Sequence, residues 1–144
     1  MYCGTGTIGL SMAGRAQKVI GVEIVSAAVE DARRNAEDNG ITNARFICGD
    51  AAAAAEQLKR EGIRPDVVVV DPPRKGCSPS LIATLDGLSP AKVVYVSCDP
   101  ATLSRDLKSL TEKSYDVKWI APVDMFPRTP HVECVVLLEK KDIV

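Results

Sequence analysis

The hydrophobic positions of the chain fall into short β-rich runs that alternate with amphipathic segments. Runs rich in Val, Ile and aromatic residues predict six strands, at 18–24, 44–48, 66–71, 91–98, 115–123 and 132–139. Such alternation is typical of a parallel sheet with helices on both faces. The pattern therefore predicts an α/β fold of the doubly wound type.

Three helices between these strands have clear sequence signals. In 26–39, apolar residues recur at helical spacing on one face, and Gly40 can close the helix. That face comprises Val25, Ala28, Val29, Ala32 and Ala36. Five alanines at 51–55 run into further helix formers up to Arg60. In 78–88, Ser78 can cap and Pro79 suits the first turn.

The last two predicted strands break the alternation. A proline-containing loop with no helix joins 115–123 to 132–139, which predicts an antiparallel pair. A dinucleotide dehydrogenase does not need such an ending.

A glycine loop, GTGTIG at 4–9, opens the chain. Such a loop should follow the strand that begins the sheet, yet only three residues precede it. We therefore expect residues 1–144 to form a single domain whose first strand is missing, and we expect further domains upstream.

Length and composition narrow the classes of protein. A chain of 144 residues with 46% hydrophobic residues suits one domain with a real core. It contains no apolar run of 18 residues and no leader pattern, so we expect a cytoplasmic protein and no membrane contact. A net charge of −1 argues against a chain that grips a nucleic-acid backbone unaided.

The five cysteines follow no metal-binding spacing. They form no CxxC pair and no ligand set with the single His, so we predict no metal site and reduced thiols. Cys48 and Cys134 lie in apolar stretches and are expected to be buried.

The glycine loop and two carboxylates suggest a cofactor site. The loop lets the backbone approach a ligand, and the helix after it offers N–H groups. Glu23, 19 residues after Gly4, is placed to accept hydrogen bonds from ribose hydroxyls, and Asp50 ends the next strand. The glycine pattern alone also suits a nicotinamide cofactor. As structural alternatives, Glu23 is a solvated capping carboxylate and Asp50 caps the Ala-rich helix.

Two further strand ends carry candidate chemistry. Four valines at 67–70 stop at Asp71, followed by Pro72, Pro73 and Arg74, which places a carboxylate on a rigid loop where α/β sheets bind ligands. Strand 91–98 ends at Cys98, just before a predicted helix start where N–H groups favour a thiolate.

Rivals for these catalytic roles are few. Cys77 lies in a loop with no strand end to aim it, so Cys98 is the stronger nucleophile candidate. The loop 126–133, with two prolines, presents His131 and Glu133. Glu133 enters an otherwise apolar strand and is the stronger candidate for a general base, since a lone His is more often structural.

Four segments in order carry a family resemblance: YCGTGTIGL, DPPRKG, YVSCDPATLSRDL and VDMFPRTPHVECVVLLEK. They resemble the RNA 5-methyluridine methyltransferases over essentially the whole chain. The loop and C-terminal sequences are most similar to the bacterial ribosomal-RNA branch, with the transfer-RNA branch second. The resemblance implies a class I S-adenosylmethionine-dependent methyltransferase fold, Rossmann-like, with a C-terminal antiparallel hairpin and the first strand missing.

The resemblance also implies a covalent mechanism at carbon 5 of uridine in RNA. Cys98 would add to carbon 6, Glu133 would remove the carbon 5 proton, and Asp71 would orient the reacting groups. Arg74, with Pro72 and Pro73, would lie near the nucleotide. The implied S-adenosylmethionine site comprises Tyr2, Gly4, Gly6, Thr7, Glu23, Asp50 and Asp71.

Two departures from the family stand out, and rival functions stay open. The family often has Asn where this chain has Asp99, and an upstream cofactor motif and RNA-binding β-barrel are not in the sequence. One rival is a silent remnant of such an enzyme, whose open strand edges a homodimer could cover. The other is a methyltransferase acting on an exocyclic amine, which would leave Cys98 and Glu133 without roles.

Overall fold

The computed structural model describes residues 1–129 and 131–141. They form two compact units, the first from Met1 to Ala54 and the second from Ala55 onward. The single-domain organisation expected from the sequence stays a prediction. None of the helices in the described part of the chain combines the length and hydropathy that a membrane span requires.

The first unit holds a two-stranded parallel sheet. Strands β1 (Val19–Glu23) and β2 (Ala44–Cys48) pair in register from Val19 with Ala44 to Glu23 with Cys48. Helix α1 (Thr7–Met12) leads into a 3-10 turn, and α2 (Ser26–Asp38) connects the strands. Val29, Ala32 and Ala36 of α2 pack with Phe46 of β2 to form the core of this unit.

Helix α3 (Ala51–Arg60) begins after Asp50, whose carboxylate accepts the N–H groups of Ala52 and Ala53 at 3.0 and 3.1 Å. The N-cap role of Asp50 is thus confirmed. Because this role uses only Oδ1, it leaves Oδ2 outside the cap.

The second unit holds a four-stranded sheet in the order β3-β4-β6-β5. Its elements are β3 (Val67–Val70), α4 (Pro79–Leu88), β4 (Lys92–Ser97), α5 (Pro100–Thr111), β5 (Tyr115–Val123) and β6 (Glu133–Lys140). Strands β3 and β4 are parallel, whereas β6 lies between β4 and β5 and is antiparallel to both. Strand β6 is therefore inserted between β4 and β5 rather than added at the edge of the sheet.

Local signals predicted these elements well. All six strands are present, and the α/β class and the antiparallel ending are confirmed. Ser78 caps α4 by accepting the Leu81 N–H at 3.2 Å, and Gly40 follows α2 with φ 64°. The predicted burial of Cys48 was wrong, since this residue is exposed, whereas Cys134 is buried as expected. Val25, which its spacing placed on the apolar face, is the exposed N-cap of α2.

Candidate active site

The glycine loop of the first unit is hydrogen-bonded to the end of β1. Gly4 and Gly6 adopt left-handed φ angles of 52° and 85°, which non-glycine residues rarely adopt. A Cβ on Gly6 would lie 3.1 Å from the Phe46 ring, whereas one on Gly4 would meet nothing within 4 Å. The loop is thus packed on its inner side and open at Gly4.

The Glu23 carboxylate is fixed by three backbone donors. Oε2 accepts the Gly4 N–H at 3.0 Å, and Oε1 accepts the N–H groups of Ile24 and Val25 at 2.8 and 3.1 Å. Two residues 19 positions apart are therefore held together, and the carboxylate is oriented by the main chain. Oε1 accepts two of these N–H groups, so the lone-pair site left for a hydroxyl donor is on Oε2.

The remaining residues proposed for the cofactor lie around this loop or at Asp50. Tyr2 has a positive φ of 58°, and Thr7 is the exposed first residue of α1. The Cys3 N–H donates to the Val22 carbonyl at 2.9 Å, which ties the start of the loop to β1. Glu23 and Asp50 end or follow the two paired strands, so both lie at the same edge of this sheet.

In the second unit, Asp71 follows β3 at the carboxyl end of the sheet. Burial raises the pKa of the Asp71 carboxyl, and the negative charge of Glu133 raises it further. Pro72 is buried, whereas Pro73 and Arg74 are exposed. The loop therefore anchors on one proline and presents the charged groups on either side.

Cys98 follows β4 and precedes the N-cap of α5. The Asp99 carboxylate accepts the N–H groups of Ala101 and Thr102 at 2.9 and 3.0 Å, and these helix-end hydrogen bonds lower the pKa of Asp99. Pro100 is the first helical residue, so the helix begins just after Cys98 as the sequence predicted. Cys98 is partly exposed.

Cys77 differs from Cys98 in its surroundings. Its side chain is buried, and burial raises the pKa of its thiol to about 11. Because a nucleophile must be a thiolate, Cys77 is a poor rival for the role.

Glu133 begins β6 opposite the end of β4. The β4–β6 ladder ends with Ser97 paired with Cys134, so the next residues on the two strands are Cys98 and Glu133. The β3–β4 pairing ends with Val70 beside Tyr95, which brings Asp71 to the same edge. One thiol and two carboxylates from three neighbouring strands thus meet at one sheet edge.

The rest of the loop before β6 offers less chemistry. His131 is exposed, and its backbone N–H donates to the Thr129 hydroxyl at 3.3 Å. Pro130, one of the two prolines expected to stiffen this loop, lies outside the described residues.

Sequence reasoning missed a buried carboxylate beside this edge. Asp106 is 1% exposed and contacts the loop that carries Asp71. A signal was present, since Asp106 lies with Leu103 and Leu110 on the buried face of α5. An acidic residue on an apolar helix face usually has specific partners.

Comparison with known proteins shows which family the chain resembles. The chain matches the tRNA (uracil-5-)-methyltransferase family over residues 1–141. An uncharacterized RNA methyltransferase of Clostridium acetobutylicum is 55% identical over 141 residues, which is 98% of this chain and 31% of that protein. One from Listeria innocua is 53% identical over 97% of this chain and 31% of its own length. The chain thus spans about a third of the relatives it matches.

Solved structures agree. The tRNA (uracil-54, C5)-methyltransferase of Pyrococcus abyssi, solved with S-adenosyl-L-homocysteine, superimposes with a TM-score of 0.80 at 39% identity, over 96% of this chain and 33% of that one. A ribosomal-RNA methylase of Streptococcus thermophilus gives a TM-score of 0.73 at 13% identity, over 97% of this chain and 83% of that one, which supports the fold alone.

The fold is that of the class I S-adenosylmethionine-dependent methyltransferases, with the antiparallel β5–β6 ending that the sequence predicted. Within that class, the chain belongs to the tRNA (uracil-5-)-methyltransferase family.

Proposed function

We propose that the protein transfers a methyl group from S-adenosylmethionine to carbon 5 of a uridine in RNA, through a covalent bond to Cys98. The observation that carries the proposal is the meeting of Asp71, Cys98 and Glu133 at one edge of the second unit's sheet. Family membership favours the same reaction. An RNA substrate of this kind also favours a cytoplasmic location.

The residues of the first unit fit the cofactor. Glu23 keeps one acceptor site, on Oε2, for a ribose hydroxyl while three N–H groups hold the carboxylate in place. Gly4 leaves open space in front of the loop, and Asp50 Oδ2 is available for a polar group of the adenosine. Tyr2, Gly6 and Thr7 would complete this part of the site.

The chain's own groups supply covalent catalysis. Carbon 5 of uracil is a weak nucleophile, so the Cys98 thiolate first adds to carbon 6 and its electron pair increases the electron density at carbon 5. The bound cofactor supplies an electrophilic methyl group. The Glu133 carboxylate then takes the proton from carbon 5, and the electrons of that C–H bond reform the double bond as the Cys98 sulfur leaves.

Asp71 and its loop have a supporting role in this proposal. Burial and the charge of Glu133 raise the pKa of Asp71, so its carboxyl lies near enough to the proposed base to orient the reacting groups. Arg74 is exposed on the same loop and suits a phosphate or ribose of the RNA. Pro72 and Pro73 keep the loop rigid.

The decisive experiment traps the covalent bond. In the complete gene product, RNA containing 5-fluorouridine should form a denaturation-resistant adduct. Carbon 5 of this analogue carries fluorine in place of the proton that the base removes, so the Cys98 sulfur cannot be released. Cys98→Ala should abolish both the adduct and methyl transfer. Cys48→Ala, a change at another accessible cysteine, is the matched control and should leave both intact. An adduct that survives Cys98→Ala would exclude this nucleophile.

We further propose ribosomal RNA as the substrate, because the loop and C-terminal sequences are most similar to the ribosomal-RNA branch of the family. Deletion of the gene should remove 5-methyluridine from ribosomal RNA, as measured by mass spectrometry of purified RNA digests. Loss from transfer RNA alone would assign the other substrate and leave the chemistry unchanged.

A further inference from the structure

A buried network in the second unit centres on the Asp106 carboxylate. Oδ2 accepts the Tyr95 hydroxyl and the Cys77 N–H, each at 2.7 Å. Oδ1 accepts Arg105 Nε at 2.9 Å and faces Arg105 Nη2 at 2.8 Å. The carboxylate thus joins β4, α5 and the loop after β3 at one buried point.

Helix α5 holds the backbone of that loop at successive positions. The Thr102 hydroxyl donates to the Arg74 carbonyl at 3.0 Å, and Arg105 Nη2 donates to the Lys75 carbonyl at 2.8 Å. Asp106 completes the series at the Cys77 N–H. These contacts begin three residues after Asp71 and run to the start of α4.

Gly76 shows how close the approach is. Its φ of 77° lies in the left-handed region, and a Cβ there would lie 2.5 Å from Asp106 Oδ2 and 2.6 Å from Arg105 Nη2. Any larger residue would push the loop away from α5 or displace the carboxylate.

The same helix fixes Cys98. Asp99 caps α5 directly after the cysteine, and Tyr95, which donates to Asp106, lies three residues before it. Both loops are therefore attached to the N-terminal part of one helix. Neither loop can shift without breaking a buried hydrogen bond or a helix cap.

We infer that Asp106 is a positioning residue that sets the distance between the Asp71–Arg74 loop and Cys98. The inference rests on the proposed function, since it assigns Asp106 to the same reaction. Asp106 does not touch the substrate. It acts through the loop backbone and through Tyr95.

The test is Asp106→Asn in the complete gene product. An amide keeps the shape but presents donors on one side, so it cannot accept from both Arg105 and the Cys77–Tyr95 pair. We expect the rate constant for adduct formation with 5-fluorouridine RNA, at saturating RNA and cofactor, to fall by roughly 10- to 100-fold, as for a misplacement of about 1 Å. A purely structural role would lower the melting temperature and leave this rate constant of the folded protein unchanged.

Two further variants test the role of Asp106. Tyr115→Phe removes another buried hydroxyl contact, to the Pro90 carbonyl at 3.0 Å, and should leave the rate constant unchanged. Should Asp106→Asn fail to fold, Thr102→Val, at a partly exposed position, tests the same loop and should lower the rate constant about 3- to 10-fold.

The outcomes separate the two proposals. A wild-type protein that forms neither adduct nor methyluridine overturns the proposed function and this inference with it. A wild-type protein that forms both, with rate constants unchanged in Asp106→Asn or, where that does not fold, in Thr102→Val, overturns only the positioning role.

Discussion

The two carboxyl groups at the candidate site differ in their surroundings. In the proposed mechanism Glu133 accepts a proton, whereas burial and the charge of Glu133 raise the pKa of Asp71. Both causes disfavour the charged form of Asp71 relative to a solvated aspartate. The two side chains are chemically similar, yet they differ in their proposed roles.

Replacement of the proposed base should stall release. With Glu133→Gln, addition and methylation can proceed but the carbon 5 proton stays, so the covalent complex with ordinary uridine RNA should accumulate. Denaturing gel electrophoresis would detect it as a slower band. Glu139→Gln, at the other end of β6, is the control and should turn over normally. Normal turnover by Glu133→Gln would remove Glu133 from the mechanism.

Asp71 should also affect the pH dependence of stability. Its pKa is raised in the folded protein above the ordinary 3.8, so its favourable contribution is present below pH 3.8 and is lost as the pH rises through the folded-state pKa. Asp71→Asn should therefore raise the melting temperature at pH 7 and have little effect near pH 3.5. A lower melting temperature at pH 7 would contradict this sign. The same variant should lose activity, because it replaces the carboxyl group that orients the reacting groups in the proposed mechanism. A gain in stability would then accompany a loss of function.

At the scale of elements, caps set where helices α4 and α5 begin. Ser78 accepts the Leu81 N–H at the start of α4, so Ser78→Ala should reduce the free energy of unfolding by about 1 kcal/mol. Ser104→Ala, at an exposed position inside α5, should change it little or raise it slightly, since Ala is the better helix former. Urea denaturation measures the free energy of unfolding of both variants. Equal free energies for the two would exclude a stabilising cap at Ser78.

Several elements were predictable because their signals are local. Ser78 with Pro79 and Asp99 with Pro100 place capping and first-turn residues in order, and both helices begin there. The valine run at 67–70 likewise formed a strand. Burial was less predictable. Cys48 lies in an apolar stretch, yet its side chain is exposed at the end of β2, because burial depends on what packs against it from elsewhere in the chain.

At the scale of the whole molecule, strand pairing creates the candidate sites. In the first unit, the pairing of Glu23 with Cys48 brings two carboxylates, 27 positions apart, to one edge. Glu23→Gln would place amide donors against the backbone N–H groups that now hold the carboxylate. We expect the affinity for S-adenosylhomocysteine to fall by at least about 10-fold, measured by calorimetry on the complete gene product. Glu30→Gln, on the exposed face of α2, is the control. Equal affinities would exclude Glu23 from the cofactor site.

The sequence by itself determined the elements, their caps, the glycine loop and the identity of the chemical groups, because these depend on residue type and spacing over a few positions. Only the tertiary structure decided that β6 lies between β4 and β5, so that Glu133 follows the register to the position beside Cys98. It alone revealed that Asp106 holds the loop after Asp71. Strand order and buried polar contacts are set by partners distant in sequence, and their energies appear only when those partners meet.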